Sequence, residues 1–306
     1  MYVAVLMSTY QGQTFVREQI ASILSQLSST GRLLIRDDGS TDETVCYIKS
    51  FNDPRISLSC GKNVGFVKSF LTLITTAPDD ADMIMLSDQD DIWLPEKIER
   101  AWNVIKNSGD TPTLYCSRLQ LVNSELQPIG LSPSWPRTPS FENALTENIV
   151  TGCTAALNPA AVKLVGRFGD SKKIYFHDWW LYLVVSCYGI VIVDPVATIL
   201  YRQHGKNMIG MQHGLKRYWT ILRFLRKTNW IHIMFNQIEN LNLAHGQIIP
   251  FHQKLLLKEK FNPHNWKSIV RLIFQPKRLR QTILSDILFR GILILDIITG
   301  RGLLPK

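Results

Sequence analysis

The sequence predicts an α/β protein, a mostly parallel sheet with helices on both faces, followed by a basic helical segment. Two observations carry this. Through the first hundred residues, short apolar runs of strand length alternate with stretches of helical period, and repeated β-α units of that kind build parallel sheets. The charge then changes sign part-way along the chain. Residues 1–212 hold 18 basic and 21 acidic side chains, a balance of −3, whereas 213–306 hold 16 and 4, a balance of +12. A break of that size marks a functional boundary, and the chain is read as an α/β unit over 1–212 and a basic amphipathic region over 213–306.

The elements follow in order. Tyr2–Met7 is a continuous apolar run, the mark of a strand buried on both faces. Val16, Ile20, Ile23, Leu24 and Leu27 then fall on one helical face. Leu33–Ile35 is a short strand ending in the turn-prone Asp37-Asp38-Gly39-Ser40, and a helix is expected from Asp42 to Lys49. A strand at Ile56–Ser59, a helix carrying Phe66, Phe70, Leu73 and Ile74, and a strand at Met83–Leu86 come next. Pro95 fits the first turn of the following helix, with Asp91 as its expected N-cap. Later segments read as strands at Leu114–Leu121 and Thr154–Leu157, a loop over Leu131–Pro139, and a helix over Asp178–Cys187. Separate strands are expected at Ile190–Val193 and Thr198–Arg202.

Composition narrows the function classes. With 45% hydrophobic and 19% charged residues the chain has ample core and no disorder signature. Its five cysteines are widely spaced with no CxxC pair, against a disulfide framework or structural zinc site. No apolar stretch reaches the about 20 residues of a membrane span, and MYVAVLMSTY lacks a basic leader. The expectation is a cytoplasmic protein, peripheral at the inner face of the plasma membrane. Neither GxGxxG nor GxxxxGK[ST] follows the first strand, so dehydrogenase and P-loop chemistries are set aside.

Ligands of doubly wound sheets bind beyond the carboxyl ends of the strands, where Ser8–Tyr10, Asp37–Ser40 and Ser87–Asp91 should converge. Ser87-Asp88-Gln89-Asp90-Asp91-Ile92-Trp93 is the sharpest signal, because three carboxylates in four positions repel one another unless a cation sits among them. Mg²⁺ or Mn²⁺, completing its shell with substrate phosphates, is the natural occupant. A carboxylate in the Asp37–Ser40 turn can accept the N3–H of a uracil or thymine ring. No Lys/Arg cluster lies beside the acidic loop in sequence.

Together these segments resemble glycosyltransferase family 2, enzymes of the Rossmann-like GT-A fold that transfer sugars from nucleoside diphosphates. The resemblance runs from the first strand and Ser8-Thr9-Tyr10 through Asp37–Asp42, Asn63-Val64-Gly65, SDQDDIW and HDWW to Tyr201-Arg202-Gln203-His204-Gly205. SDQDDIW with YRQHG is most similar to the bacterial cell-surface-polysaccharide branch, which includes rhamnosyl- and glucosyltransferases. Gln11 stands where Asn is usual, and His177-Asp178 replaces the commoner Glu-Asp pair.

The resemblance implies that Thr9, Tyr10 and Asp38 hold the pyrimidine, while Asn63 and Gly65 line the nucleotide side. It places Asp88 toward the ribose, Asp90 on the metal and His204 on the metal or diphosphate. Asp178 becomes the base that deprotonates the acceptor hydroxyl. The implied reaction is inverting transfer from a UDP- or dTDP-sugar to a saccharide acceptor in surface polysaccharide synthesis. Sugar and linkage choice are expected from the loop over 130–151 and from around Trp179-Trp180.

From His213 on, apolar and basic stripes run side by side, as with Leu215, Trp219, Leu222 and Leu225 beside Lys216, Arg223 and Lys227. Such helices read as interfacial membrane elements, suited to an anionic membrane surface and a lipid-diphosphate-linked acceptor. A sugar nucleotidyltransferase, or a nucleic-acid-binding protein using the basic helices, is the competing reading. The latter leaves the acidic loops unexplained, so no nucleic acid is expected.

Overall fold

The computed structural model describes residues 1–203, 230–263 and 265–299. One sheet runs through the α/β unit in the order β3-β2-β1-β4-β8-β6-β9-β5, with β7 paired to β6. Its strands are β1 Val3–Thr9, β2 Arg32–Asp37, β3 Ile56–Cys60, β4 Met83–Ser87, β5 Ile92–Trp93, β6 Thr113–Val122, β7 Pro128–Leu131, β8 Ala156–Leu157 and β9 Ile190–Arg202. The first, second, third and fourth strands pair in parallel, as do β6 and β9. The short strands β5, β7 and β8 run antiparallel to their neighbours.

Strand alternation divides the core into two layers, because successive side chains point to opposite faces. From β1, Ala4 and Leu6 enter one layer while Val3, Val5 and Met7 enter the other, and Ile84/Leu86 and Met83/Met85 of β4 divide likewise. Helices α1 Val16–Leu24, α2 Thr44–Ser50 and α4 Lys97–Ile105 cover the second layer. Helices α3 Phe66–Thr75, α5 Phe141–Ala144, α6 Pro159–Val165 and α7 His177–Tyr188 cover the first.

The C-terminal helices α8 Trp230–His245, α9 Phe251–Lys260, α10 Trp266–Phe274 and α11 Ile283–Thr299 join the first layer. Met234, Phe235, Leu241, Leu272, Phe289 and Leu293 belong to one buried cluster with Ala4 and Leu6. Trp230 stacks on Trp179 of α7 with ring centroids 4.6 Å apart. The amphipathic stripes expected over 215–227 lie outside the described residues.

Four local expectations change. Ile190–Arg202 is one strand, kept in register with β6 by a bulge: Ser117 pairs with Asp194 but Arg118 with Ala197. Pro195, which has no N–H to give, sits in that bulge, and Asp194 pins it by accepting from Val196 N at 2.9 Å and Tyr115 Oη at 2.7 Å. The loop expected from Leu131 begins as the end of β7, and Gly152–Thr154 is a 3₁₀ turn rather than strand. The helix expected at Pro95 starts at Lys97, because Ile92 and Trp93 are taken up by pairing with β9.

Candidate active site

Parallel register sets the acidic loops side by side. Thr9 aligns with Asp37 and Met7 with Ser87, so the chain leaves β1, β2 and β4 at one edge. Asp37 is turned inward, 1% exposed, and accepts from Thr9 Oγ1, Ser40 N and Ser40 Oγ at 2.8, 2.8 and 2.6 Å. Asp38 is equally buried. Its Oδ2 accepts from the backbone N–H groups of Val64 and Gly65, both at 2.9 Å, and its Oδ1 pairs with Arg36. Asp38 therefore ties the Asn63–Gly65 turn to β2, and Oδ1, with one protein donor, keeps an acceptor position.

Gly65 has φ +82°, a left-handed conformation that favours glycine, and its N–H also bonds Asn63 Oδ1 at 3.0 Å. Gln11 occupies a left-handed φ of +50°, where Asn is the better-suited residue. Its longer side chain accepts from the Thr41 and Asp42 N–H groups at 3.1 and 3.2 Å.

The acidic loop is held from both ends. Gln89 grips the Tyr10 backbone twice, accepting from its N–H at 2.9 Å and donating to its carbonyl at 3.0 Å. Ser87 Oγ accepts from Gln19 Nε2 at 2.7 Å and donates to Asp88 O at 2.8 Å. Asp91 is not a helix cap. It is 1% exposed, accepts from Arg202 N at 3.3 Å, and a carboxylate oxygen of it lies within 4.8 Å of a carboxylate oxygen of Asp88 and of Cys153 Sγ.

Burial, then Asp90 and then Asp178, push the Asp88 carboxyl up to about 7. Burial, with Asp90 and Asp88 next, lifts Asp91 well above the usual carboxylate range. Two crowded carboxyls with raised proton affinity, Asp88 and Asp91, the latter with a buried unbonded Oδ2, form a donor set that fits a hard divalent cation. Asp88 and Asp91 would hold it, with Asp90 close enough for its charge to act on both. The Cys153 thiol, raised by burial and by Asp91 and Asp88, stays protonated and is a poor ligand for such an ion.

Asp178 lies in the first turn of α7, close enough to Asp88 for their charges to interact. It accepts from Trp179 N at 2.7 Å, and the Asn148 side chain and Gly152 N–H also hold it. Burial nonetheless raises its carboxyl to about 6. His177, beside it, is packed away. Its ring stacks on Phe70 at 4.2 Å and meets Phe66 edge-on at 5.8 Å, and burial depresses it to about 3, so it is neutral. A Cβ on Gly152 would come within 2.5 Å of His177 Nε2, so that backbone approach requires glycine.

The fold gathers Thr9, Tyr10, Asp38, Asn63, Gly65, Asp88, Asp90 and Asp178 onto the strand-end side, while His204 lies outside the described residues. Tyr10, Asn63 and Gly65 are exposed. Trp179 and Trp180 are sealed in the core, their indoles donating to Ala144 O and Val165 O at 2.7 and 3.1 Å. Both belong to the core, as paired tryptophans commonly do.

Sequence reasoning misses Lys97, which reads as a solvated helix-start charge. It is fully buried, with Nζ 4.9 Å from the Trp93 ring, and burial lowers it to about 8 against the pull of Cys153 and Asp91. A protein cation therefore does lie beneath the acidic loop. Asn148 is missed too, since no spacing signals a side chain that orients a distant carboxylate.

Comparison with known proteins decides the family. The sequence profile described as Glycosyl transferase family 2 matches residues 4–162, just over half the chain. The chain belongs to that family. It is 28% identical over 253 residues to the dTDP-rhamnosyl transferase RfbG of Shigella flexneri, covering 76% of this chain and 83% of RfbG. Over 99 residues, 32% of this chain and 38% of the relative, it is 31% identical to an Escherichia coli enzyme, WfgD. WfgD is named as a UDP-Glc:alpha-D-GlcNAc-diphosphoundecaprenol beta-1,3-glucosyltransferase. Among solved structures, S. aureus TarS 1-349 with UDP superposes with a TM-score of 0.59 at 16% identity, over 90% of this chain and 76% of that one. The family 2 enzyme thus has the GT-A fold expected from its sequence, with helices at its C-terminal side.

Proposed function

We propose that this glycosyltransferase moves a sugar, with inversion, from a UDP- or dTDP-sugar to a lipid-diphosphate-linked saccharide during bacterial cell-surface polysaccharide synthesis. The observation that carries the reading is the meeting of Asp88, Asp90 and Asp91 with Asp178 at the carboxyl ends of parallel strands. The relatives' names support the finer terms: RfbG takes a dTDP-sugar, WfgD takes UDP-Glc and a diphosphoundecaprenol acceptor, and TarS has been solved with UDP.

In this reading Thr9, Tyr10 and Asp38 hold the pyrimidine, with Asp38 Oδ1 on its N3–H, and Asn63 and Gly65 line the nucleotide. Asp88 faces the ribose. Asp90, with Asp91 beside it and His204 as a further contact, would hold Mg²⁺ or Mn²⁺, which when bound would supply Lewis-acid stabilisation of the departing diphosphate. Asp178, held by Asn148 and the Gly152 N–H, takes the proton of the acceptor hydroxyl as that oxygen attacks the anomeric carbon opposite the leaving group. The basic C-terminal side holds the chain at the cytoplasmic face of an anionic membrane.

A panel of UDP- and dTDP-sugars, with Mn²⁺ or Mg²⁺ and a synthetic lipid-diphosphate acceptor, tests this. Release of a nucleoside diphosphate with a new glycosidic linkage by NMR is the expected result. Release of pyrophosphate from a nucleoside triphosphate would identify a nucleotidyltransferase instead.

A further inference from the structure

Among the described residues, nothing covers the outer face of α11. Ile283, Ile287, Ile294 and Ile298 are 65, 61, 39 and 74% exposed, and their spacing puts them on one side of the helix. Of the two acidic residues in α11, Asp286 is hidden from that side. Asp286 is 5% exposed and turned inward, accepting from Leu279 N at 2.8 Å, Arg280 N at 3.0 Å and Arg290 Nε at 2.8 Å. The adjoining α10 carries exposed Lys267 and Arg271 and ends in Trp266 and Phe274, 70 and 75% exposed. No helix among the described residues is long and apolar enough to cross a membrane. An apolar stripe with basic and aromatic neighbours that cannot span a bilayer is suited to lie in its interface.

We propose that α11 lies in the plane of an anionic bilayer, its isoleucine stripe at the acyl boundary and Lys267 and Arg271 among the headgroups. The link to the site is a strap between α10 and α11. Leu279 O accepts from Asn143 Nδ2 at 2.9 Å, Gln281 N donates to Glu147 Oε2 at 2.6 Å, and Arg137 Nη1 donates to Arg278 O at 2.7 Å. Asn148, which holds Asp178, follows Glu147 directly. The strap fixes the height of Asp178 above the lipid, where a lipid-linked acceptor presents its hydroxyl. This last step rests on the function proposed above.

Flotation of the full chain, without donor or acceptor, on vesicles of phosphatidylcholine alone or mixed with phosphatidylglycerol tests the surface. The protein should float with the anionic vesicles and much less with the neutral ones. The double variant Ile287→Glu, Ile298→Glu should partition at least about tenfold less, with its thermal unfolding unchanged because both sites are exposed. Equal flotation of variant and wild type, equal binding to neutral vesicles, or sedimentation as a dimer that the same variant splits would each overturn the proposal. Nucleoside diphosphate release is followed separately, so failure of the dock and failure of the glycosyl-transfer reading are separate results.

Discussion

Replacing Asp178 by Asn should make the enzyme more stable while stopping transfer. Burial raises this carboxyl from 3.8 to about 6, so the folded chain binds its proton more tightly than the unfolded chain does. Stability contributed by that proton is fully present below pH 3.8 and is lost as pH rises through about 6. An amide never ionises and avoids the loss. A rise of that size corresponds to at most about 3 kcal/mol. Asp178 is part-exposed and the amide must still accept from Asn148 and Gly152, so a gain of about 1–2 kcal/mol is expected, or about 2–5 °C. Urea denaturation in EDTA at pH 7.5 and at pH 4 measures it: Asp178→Asn should gain at the higher pH and match wild type at the lower. Turnover should fall by about 10²–10⁴-fold while nucleotide-sugar binding persists. A variant no more stable than wild type at pH 7.5, or one with near-wild-type turnover, would refute the reasoning.

Other expectations follow from the same geometry. For wild type, kcat/KM should rise with pH through an apparent pKa near 6 as Asp178 ionises, and a flat profile from pH 5 to 8 would remove it as the base. Gln89→Ala breaks both bonds to the Tyr10 backbone, about 1 kcal/mol each, and should lower the melting temperature by at most about 5 °C, with kcat/KM falling by at most about thirty-fold as the loop loses its position. Gly152→Ala drives a methyl against His177 and should destabilise by about 1–3 kcal/mol in urea titration. Chelation should abolish transfer and Mn²⁺ or Mg²⁺ should restore it, read as nucleoside diphosphate release; undiminished transfer in EDTA would exclude the metal.

Strands such as Val3–Thr9 and Met83–Ser87 are legible because burial on both faces leaves an unbroken apolar run that no helix period explains. The acidic loop is legible for the opposite reason, since so much like charge is costly unless something gathers it. What lies under the loop is not legible. Asp91 and Lys97 look like an ordinary helix start, and only the pairing of Ile92–Trp93 with β9 moves the helix onward and turns both charges inward. Ile190–Arg202 was expected as two strands because Asp194-Pro195 looks like a break, whereas the partner strand absorbs it as a bulge. The HDWW segment shows both outcomes in four residues: Asp178 reaches the carboxylate cluster, and the two tryptophans are core.

The shared first layer has a consequence for how the enzyme is made. Ala4, Leu6 and the α7 face are synthesised before part of their cover, because Phe235, Leu272 and Leu293 follow them in the chain. The nascent sheet must therefore wait with an apolar side bare, the state in which chains aggregate or recruit chaperones. A ribosome stalled before α8 would hold a chain carrying Asp88, Asp90 and Asp178 but without the packing that seats them. Synthesis through α11, and not of the sheet alone, then becomes a condition for a working site.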